Sequence, residues 1–269
     1  AASDVYKRQV EWKMGEPIEH ADYAEVAGVL RNTTYVEELP MIVLLPDDWN
    51  RSVVVWLDDA GKSAIRKDDG SLKPEVLELL KGKSAVVAVD MLFQGEFLKD
   101  GESIKQTRNV QNPRESAAYT FGYNNSLFAQ RAHDVLTIVK FLRTVRVDPH
   151  PSPAAVKVVG FGGTGPIVLA ARAVAGEAID AVAADTGGFR FGKVLDYRDP
   201  MFLPGGAKYL DVPGLVALGP MRPLWLAGEP RPPSLAGETA PARTEQDATL
   251  FGGEHVDVQT AAVKWLAER

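Results

Sequence analysis

The chain contains no cysteine. That one absence removes disulfide staples, thiolate nucleophiles and cysteine-ligated metal centres together. It leaves the compartment open, a secreted or periplasmic one included, because large secreted domains fold without disulfides. No apolar run approaches the roughly 20 residues of a membrane span, so no membrane partner is expected. No basic block and no interleaving of basic with aromatic residues occurs, and the net charge is −6, so no nucleic-acid partner is expected. Histidine is scarce. The four are His20, His133, His150 and His255, and no pair has metal-ligand spacing. No metal and no cofactor is expected.

What is present suits an ordinary globular α/β chain of 269 residues, 45% hydrophobic and 25% charged. Residues 1–9 (AASDVYKRQ) resemble an adaptor string of metagenomic assemblies and are expected to be a non-native leader. Residues 10–35 are polar and mixed, weakly helical around 23–30, and read as a linker or the end of a preceding domain. Residues 36–269 carry the main domain.

Within it, residues 40–46, 52–57 (SVVVWL) and 84–90 (SAVVAVD) read as strands, the last apolar throughout and so buried on both faces. Residues 74–80 read as a short helix with proline at its start. A long polar loop fills 91–116. Residues 127–142 form the clearest helix, with Phe128, Ala132, Val135, Leu136 and Val139 on one face. Strands at 178–185, 223–227 and 248–253 and helices at 212–218 and 256–268 follow. Strands alternating with helices predict an α/β fold, a doubly wound, mostly parallel sheet with helices on both faces.

Residues 156–165 read VKVVGFGGTG. A β-branched run meets a glycine cluster and then a helical segment. As Gly160-x-Gly162-x-x-Gly165 the turn fits a dinucleotide fingerprint, with Asp185 at the next strand end as the ribose-binding acid. Against that reading, three strands precede the turn, whereas the fingerprint normally opens its domain. Aligned instead as a nucleophile elbow, it has Gly162 where serine should stand. A P-loop at Ala60-Gly61-Lys62-Ser63 is excluded, because its leading glycine falls on Trp56.

The order of pieces along the chain resembles the acetylxylan esterase and dienelactone hydrolase branch of the α/β hydrolases. The strand at 52–57 runs into an oxyanion-type loop. The strand at 84–90 ends in a D-x-x-x-x-G-E turn, Asp90 to Gly95-Glu96. The elbow strand follows the long helix, PLWLAGE at 223–229 resembles the acid-bearing strand, and Gly253-Glu254-His255 precedes a terminal helix. The resemblance implies the α/β-hydrolase fold, a carbohydrate or other small ester as ligand, and His255 as base. It also implies Gly163 with Gly61 or Lys62 as backbone oxyanion donors.

Two triad positions depart from the pattern. Gly162 offers no side chain to attack with. Thr164, the nearest hydroxyl, is read as packing or a cap. Arg231 stands at the acid position, leaving Glu229 or Asp185 as substitutes, each with a plain alternative as a loop acid capping a turn. Three readings therefore stay open. The first is an impaired or inactive esterase-like domain with a structural or ligand-binding role, one half of a tandem hydrolase. The second is an active ester hydrolase with a nonstandard nucleophile, a Ser or Asp of the lid loops. The third is an NAD(P)-binding protein using GFGGTG.

Overall fold

Residues Ser52–Leu57 form β5, with side chains alternating between two faces. Val53, Val55 and Leu57 enter one apolar core, and Val54 and Trp56 enter another. That double burial places β5 at the middle of a sheet covered on both sides, and the topology agrees. The computed structural model describes residues 10–99, 102–111, 116–146, 152–230, 248–251 and 257–269. Its ten strands make one sheet in the order β1-β3-β4-β6-β5-β7-β8-β9-β10, with β2 paired to β3. The remaining strands are β1 (Val10–Met14), β2 (Ile18–Glu19), β3 (Tyr23–Asn32), β4 (Glu37–Pro46), β6 (Ala85–Val89), β7 (Ala155–Gly160), β8 (Ala181–Asp185), β9 (Leu224–Ala227) and β10 (Ala248–Leu250).

The strands from β5 to β10 run parallel, and β1 to β4 are antiparallel additions. The mostly parallel sheet expected from the sequence is present, and the four antiparallel strands extend it at one edge. Short connections join β1 to β4, where pairing is antiparallel, whereas β5 to β9 are joined by helical crossovers. Residues 10–35, read as a linker or a preceding domain's tail, lie in β1, β2 and β3 of this same sheet and in the turn to β4. The weak helical pattern at 23–30 is corrected to strand. Ten cross-strand partners, from Tyr23↔Pro46 to Asn32↔Glu37, outweigh a marginal local preference. Trp12 then stacks on Phe141, with ring centroids 5.4 Å apart, pinning the edge strand to a helix.

The helices are α1 (Pro74–Lys81), α2 (Ala117–Phe121), α3 (Leu127–Thr144), α4 (Thr164–Ala175), α5 (Asp211–Leu218) and α6 (Val258–Ala267). α3, α4 and α5 cover the face bearing Val53, Val55 and Leu57, and α1 and α6 cover the opposite face. Pro74 pre-sets the first turn of α1, Ser126 caps α3 through Ala129 N, and Asp257 caps α6 through Gln259 N. Lys157 in β7 is buried and donates Nζ to Leu266 O at 3.0 Å, satisfying a terminal carbonyl of α6.

Candidate functional site

The C-terminal ends of five adjacent parallel strands, β6, β5, β7, β8 and β9, face the same edge of the sheet, where ligands bind in such architectures. They deliver Asp90, Asp58-Asp59, the glycine turn, Asp185 and Gly228-Glu229 in turn. The turn after β7 is a sharp strand-to-helix corner. Gly162 holds φ 59°, a left-handed conformation that glycine adopts without a Cβ penalty. A Cβ at Gly165 would run into the carbonyl of Asp185, so α4 meets the end of β8 at a distance only glycine permits. Thr164 is fully buried and donates its hydroxyl to Phe161 O (2.8 Å) and Leu57 O (3.1 Å), the packing role expected of it.

The corner is occupied by a residue the sequence reading passed over. Asp59, just beyond β5, projects its carboxylate onto the elbow. Oδ2 accepts the Gly163 N–H at 2.8 Å, and it lies 2.5 Å from where a Cβ on Gly162 would be. A carboxylate oxygen thus stands in the space of any side chain at position 162 and takes the N–H after it. The signal in the sequence was the Asp58-Asp59 pair at a strand end directly before the glycine-containing loop.

The other backbone donors named from sequence are also engaged. Gly61 N bonds Asp58 O at 3.0 Å, closing a turn with Gly61 at φ 66°. Lys62 N bonds Asp90 Oδ1 at 2.8 Å. Asp90 has no exposure to solvent, and its Oδ2 accepts Glu96 N at 3.0 Å and the Lys62 ammonium. Side chains at Gly61 or Gly95 would collide with this carboxylate. The D-x-x-x-x-G-E turn is therefore a clamp that ties the loop after β5 to the loop after β6. Lys62 also pairs with Glu96 at 2.6 Å.

The two substitute acids lie beside each other at the ends of β8 and β9. A Cβ at Gly228 (φ 75°) would strike Gly187 N and Gly188 N, so the two turns interlock. Glu229 is held on three sides. Arg190 grips it through Nη1 (2.9 Å) and Nη2 (2.6 Å), and Thr186 donates its hydroxyl at 2.5 Å. That fork-to-fork pairing lifts the Arg190 guanidinium above its usual range. Asp185 Oδ1 accepts Gly187 N at 3.0 Å, the turn-capping role. His255 and Arg231 lie outside the described residues, as does His150. His133 sits on α3 with Nδ1 2.9 Å from Glu37, and His20 lies beside Glu25 at 3.6 Å. No cluster of three or more His, Asp or Glu able to hold a metal occurs among the described residues. No helix there is long and apolar enough to cross a membrane.

Behind the loop after β6 lies a buried charged pair on α3. Arg131 donates Nε to Leu92 O (2.9 Å) and Nη2 to Phe93 O (3.1 Å), and Asp134 Oδ2 accepts Leu92 N (2.9 Å). Burial drives the Asp134 carboxyl up to about 7, against the pull of the Leu92 N–H and of Arg131, with Glu37 adding to the rise. Burial likewise pushes Arg131 down, opposed by the charges of Asp59 and Asp134. Gln94, in the same turn, donates Nε2 to Asp58 O at 3.1 Å. α3 thus braces the turn that braces the Asp58-Asp59 corner.

With this geometry in view, the chain was set against known proteins. No family model and no curated protein matches the sequence. Solved structures do. A glucuronoyl esterase from Solibacter usitatus superposes with TM-score 0.52 at 13% identity, over 81% of this chain and 67% of that one. Acetyl xylan esterase 1 from Thermoanaerobacterium sp. JW/SL YS485 gives 0.53 at 14%, over 83% and 76%. A cold-adapted esterase from an Arctic intertidal metagenomic library gives 0.52 at 11%, over 96% and 99%. The fold is that of the α/β hydrolases. At such identities the likeness is one of fold, and it bears out the acetylxylan-esterase-like architecture inferred from motif order. The glycine turn follows the seventh strand in chain order, and Asp59 accepts the Gly163 N–H.

Proposed function

We propose that this α/β-hydrolase-fold domain does not work as a serine esterase and instead serves a structural or ligand-binding role toward a small or carbohydrate ester. The observation that carries the reading is the Asp59–Gly162 contact. The elbow lacks an attacking oxygen, and an acidic side chain of the same chain covers both its place and the Gly163 N–H. A fixed negative charge there repels the developing oxyanion that such a corner must stabilise. The carbohydrate-ester character of the ligand is supported by the acetyl xylan and glucuronoyl esterases among the structural neighbours. A place beside a second, active hydrolase domain in a longer chain fits a non-hydrolytic role.

The test is a purified-protein assay with 4-nitrophenyl acetate and acetylated xylan. Release no faster than with the His255→Ala variant is expected. Ordinary esterase turnover that His255→Ala abolishes would overturn the proposal.

One observation favours a second reading, hydrolysis with a nonstandard nucleophile. Asp59 is a carboxylate standing in the nucleophile's own space. If it attacks the acyl carbon, an anhydride forms, alkoxide leaves, and water cleaves the anhydride, placing a solvent oxygen on Asp59 or on the product. Turnover in heavy-oxygen water, with the Asp59 peptide weighed by mass spectrometry, decides it. Label on the Asp59 peptide supports the reading, and undiminished turnover by Asp59→Asn excludes Asp59.

A further inference from the structure

Described residues of the loop that follows β6 line an open concavity of about 400 Å3, and neither Gly162 nor Gly163 is among them. That volume falls within the range of small-molecule sites, roughly 300–1,000 Å3. Its apolar walls are Phe93, Phe97, Leu98 and Ile104, and its cations are Lys99 and Arg108.

Three features mark the cavity, and two of them hold its walls in place. Phe93 sits at φ 58°, a conformation that costs a bulky residue on the order of 1–3 kcal/mol and persists only when its surroundings enforce it. The enforcement is Arg131, bonded to the Phe93 and Leu92 carbonyls. The far side of the loop is stitched to the segment after β8. Thr107 N and Oγ1 both reach Arg198 O (2.7 and 3.1 Å), and Gln106 Nε2 reaches Asp196 Oδ2 at 2.8 Å. The third feature is what the cavity leaves uncovered. Phe93 is 41% and Phe97 37% exposed, large rings left open to water at a concave surface. Lys99 and Arg108 have no ion-pair partner among the described residues, and Glu102 is the one acid in the lining.

We propose that this cavity binds a planar aromatic carboxylate. The two phenylalanine rings offer faces and edges to a flat apolar body. The carboxylate goes to Lys99 and Arg108, of which the guanidinium fork gives a bidentate grip. An aliphatic acid lacks the ring to pack, and a neutral arene leaves the cations without a counter-charge. The site goes beyond the elbow reading and does not depend on it, because Gly162, Gly163 and Asp59 are not among its lining residues.

The experiment is titration of 2-naphthoate into the full chain by isothermal calorimetry at neutral pH and low salt. Saturable single-site binding with Kd of about 1 mM or tighter is expected. Naphthalene-2-carboxamide and acetate should each bind at least about tenfold more weakly. Phe97→Ala and Arg108→Gln should each weaken 2-naphthoate about tenfold. Both side chains are exposed, and an unchanged melting temperature will show that the variants fold. Absence of saturable binding overturns the proposal, as does carboxamide binding as tightly as the acid, or affinity indifferent to both substitutions. An esterase-positive result at the elbow leaves the proposal standing.

Discussion

Asp59 Oδ2 accepts the Gly163 N–H at 2.8 Å and stands where the side chain of any residue replacing Gly162 would begin. The two positions are 103 apart in sequence, and neither is intelligible alone. Glycine at 162 makes room for the carboxylate, and the carboxylate consumes the amide that an ester hydrolase keeps free.

The pair should therefore be coupled energetically. Gly162→Ser alone should cost about 1–2 kcal/mol, from the left-handed φ and from displacement of Asp59. Adding Asp59→Ala should recover part of that loss, so the double variant is more stable than the sum of the singles predicts. Urea unfolding of the four proteins in the cycle measures the coupling. Strict additivity would mean that the two side chains do not compete for one space.

Asp134 makes stability pH-dependent. Its folded value of about 7 lies above the ordinary 3.8, so the folded protein holds a proton that the unfolded chain releases. Stability contributed by this group is complete below the unfolded value and is lost as pH rises toward and through about 7. Asp134→Asn keeps an oxygen for the Leu92 N–H and removes the titration. The variant's stability relative to the parent should be more favourable by about 1 kcal/mol or more at about pH 8 than at about pH 4. Parallel curves at the two pH values would place the charge of Asp134 elsewhere.

The Asp90 clamp should be a large structural term. Asp90 is fully buried and accepts from Lys62 N, Glu96 N and the Lys62 ammonium. Asp90→Ala leaves all three donors without their acceptor and should cost about 3–5 kcal/mol. Lys62→Met, which removes one donor and keeps an apolar stem, should cost less. Chemical denaturation ranks the two, and a reversed order would contradict the clamp.

Glu229 is expected to act in structure. Glu229→Gln keeps the shape and loses the charge facing Arg190, so a loss of about 1–2 kcal/mol is expected. Binding of ester ligands should be unaffected. A variant that loses ligand binding at unchanged stability would return Glu229 to the acid's role.

Much of the frame was legible in the sequence. The run SVVVWL has no polar face, the segment at 127–142 repeats apolar residues at helical spacing, and VKVVGFGGTG joins strand to helix through glycine. These are local signals, and they lie in order along the chain. The N-terminal strands were not legible, because YAEVAGVLRN alternates too weakly to declare itself until β4 lies beside it. Asp59 was not legible either. One of two adjacent aspartates at a strand end carries no mark of which one turns toward a loop a hundred residues later.

From sequence alone came the class of fold, the central strands and the glycine corner after β7, all of which follow from residue type and spacing over a few turns of chain. Tertiary structure alone decided where the carboxylates go: Asp59 onto the elbow amide, Asp90 between two glycines, Glu229 into the Arg190 fork. Charge and hydrogen-bonding capacity belong to the residue, but the partner that satisfies them is set by which strand ends the parallel sheet brings together.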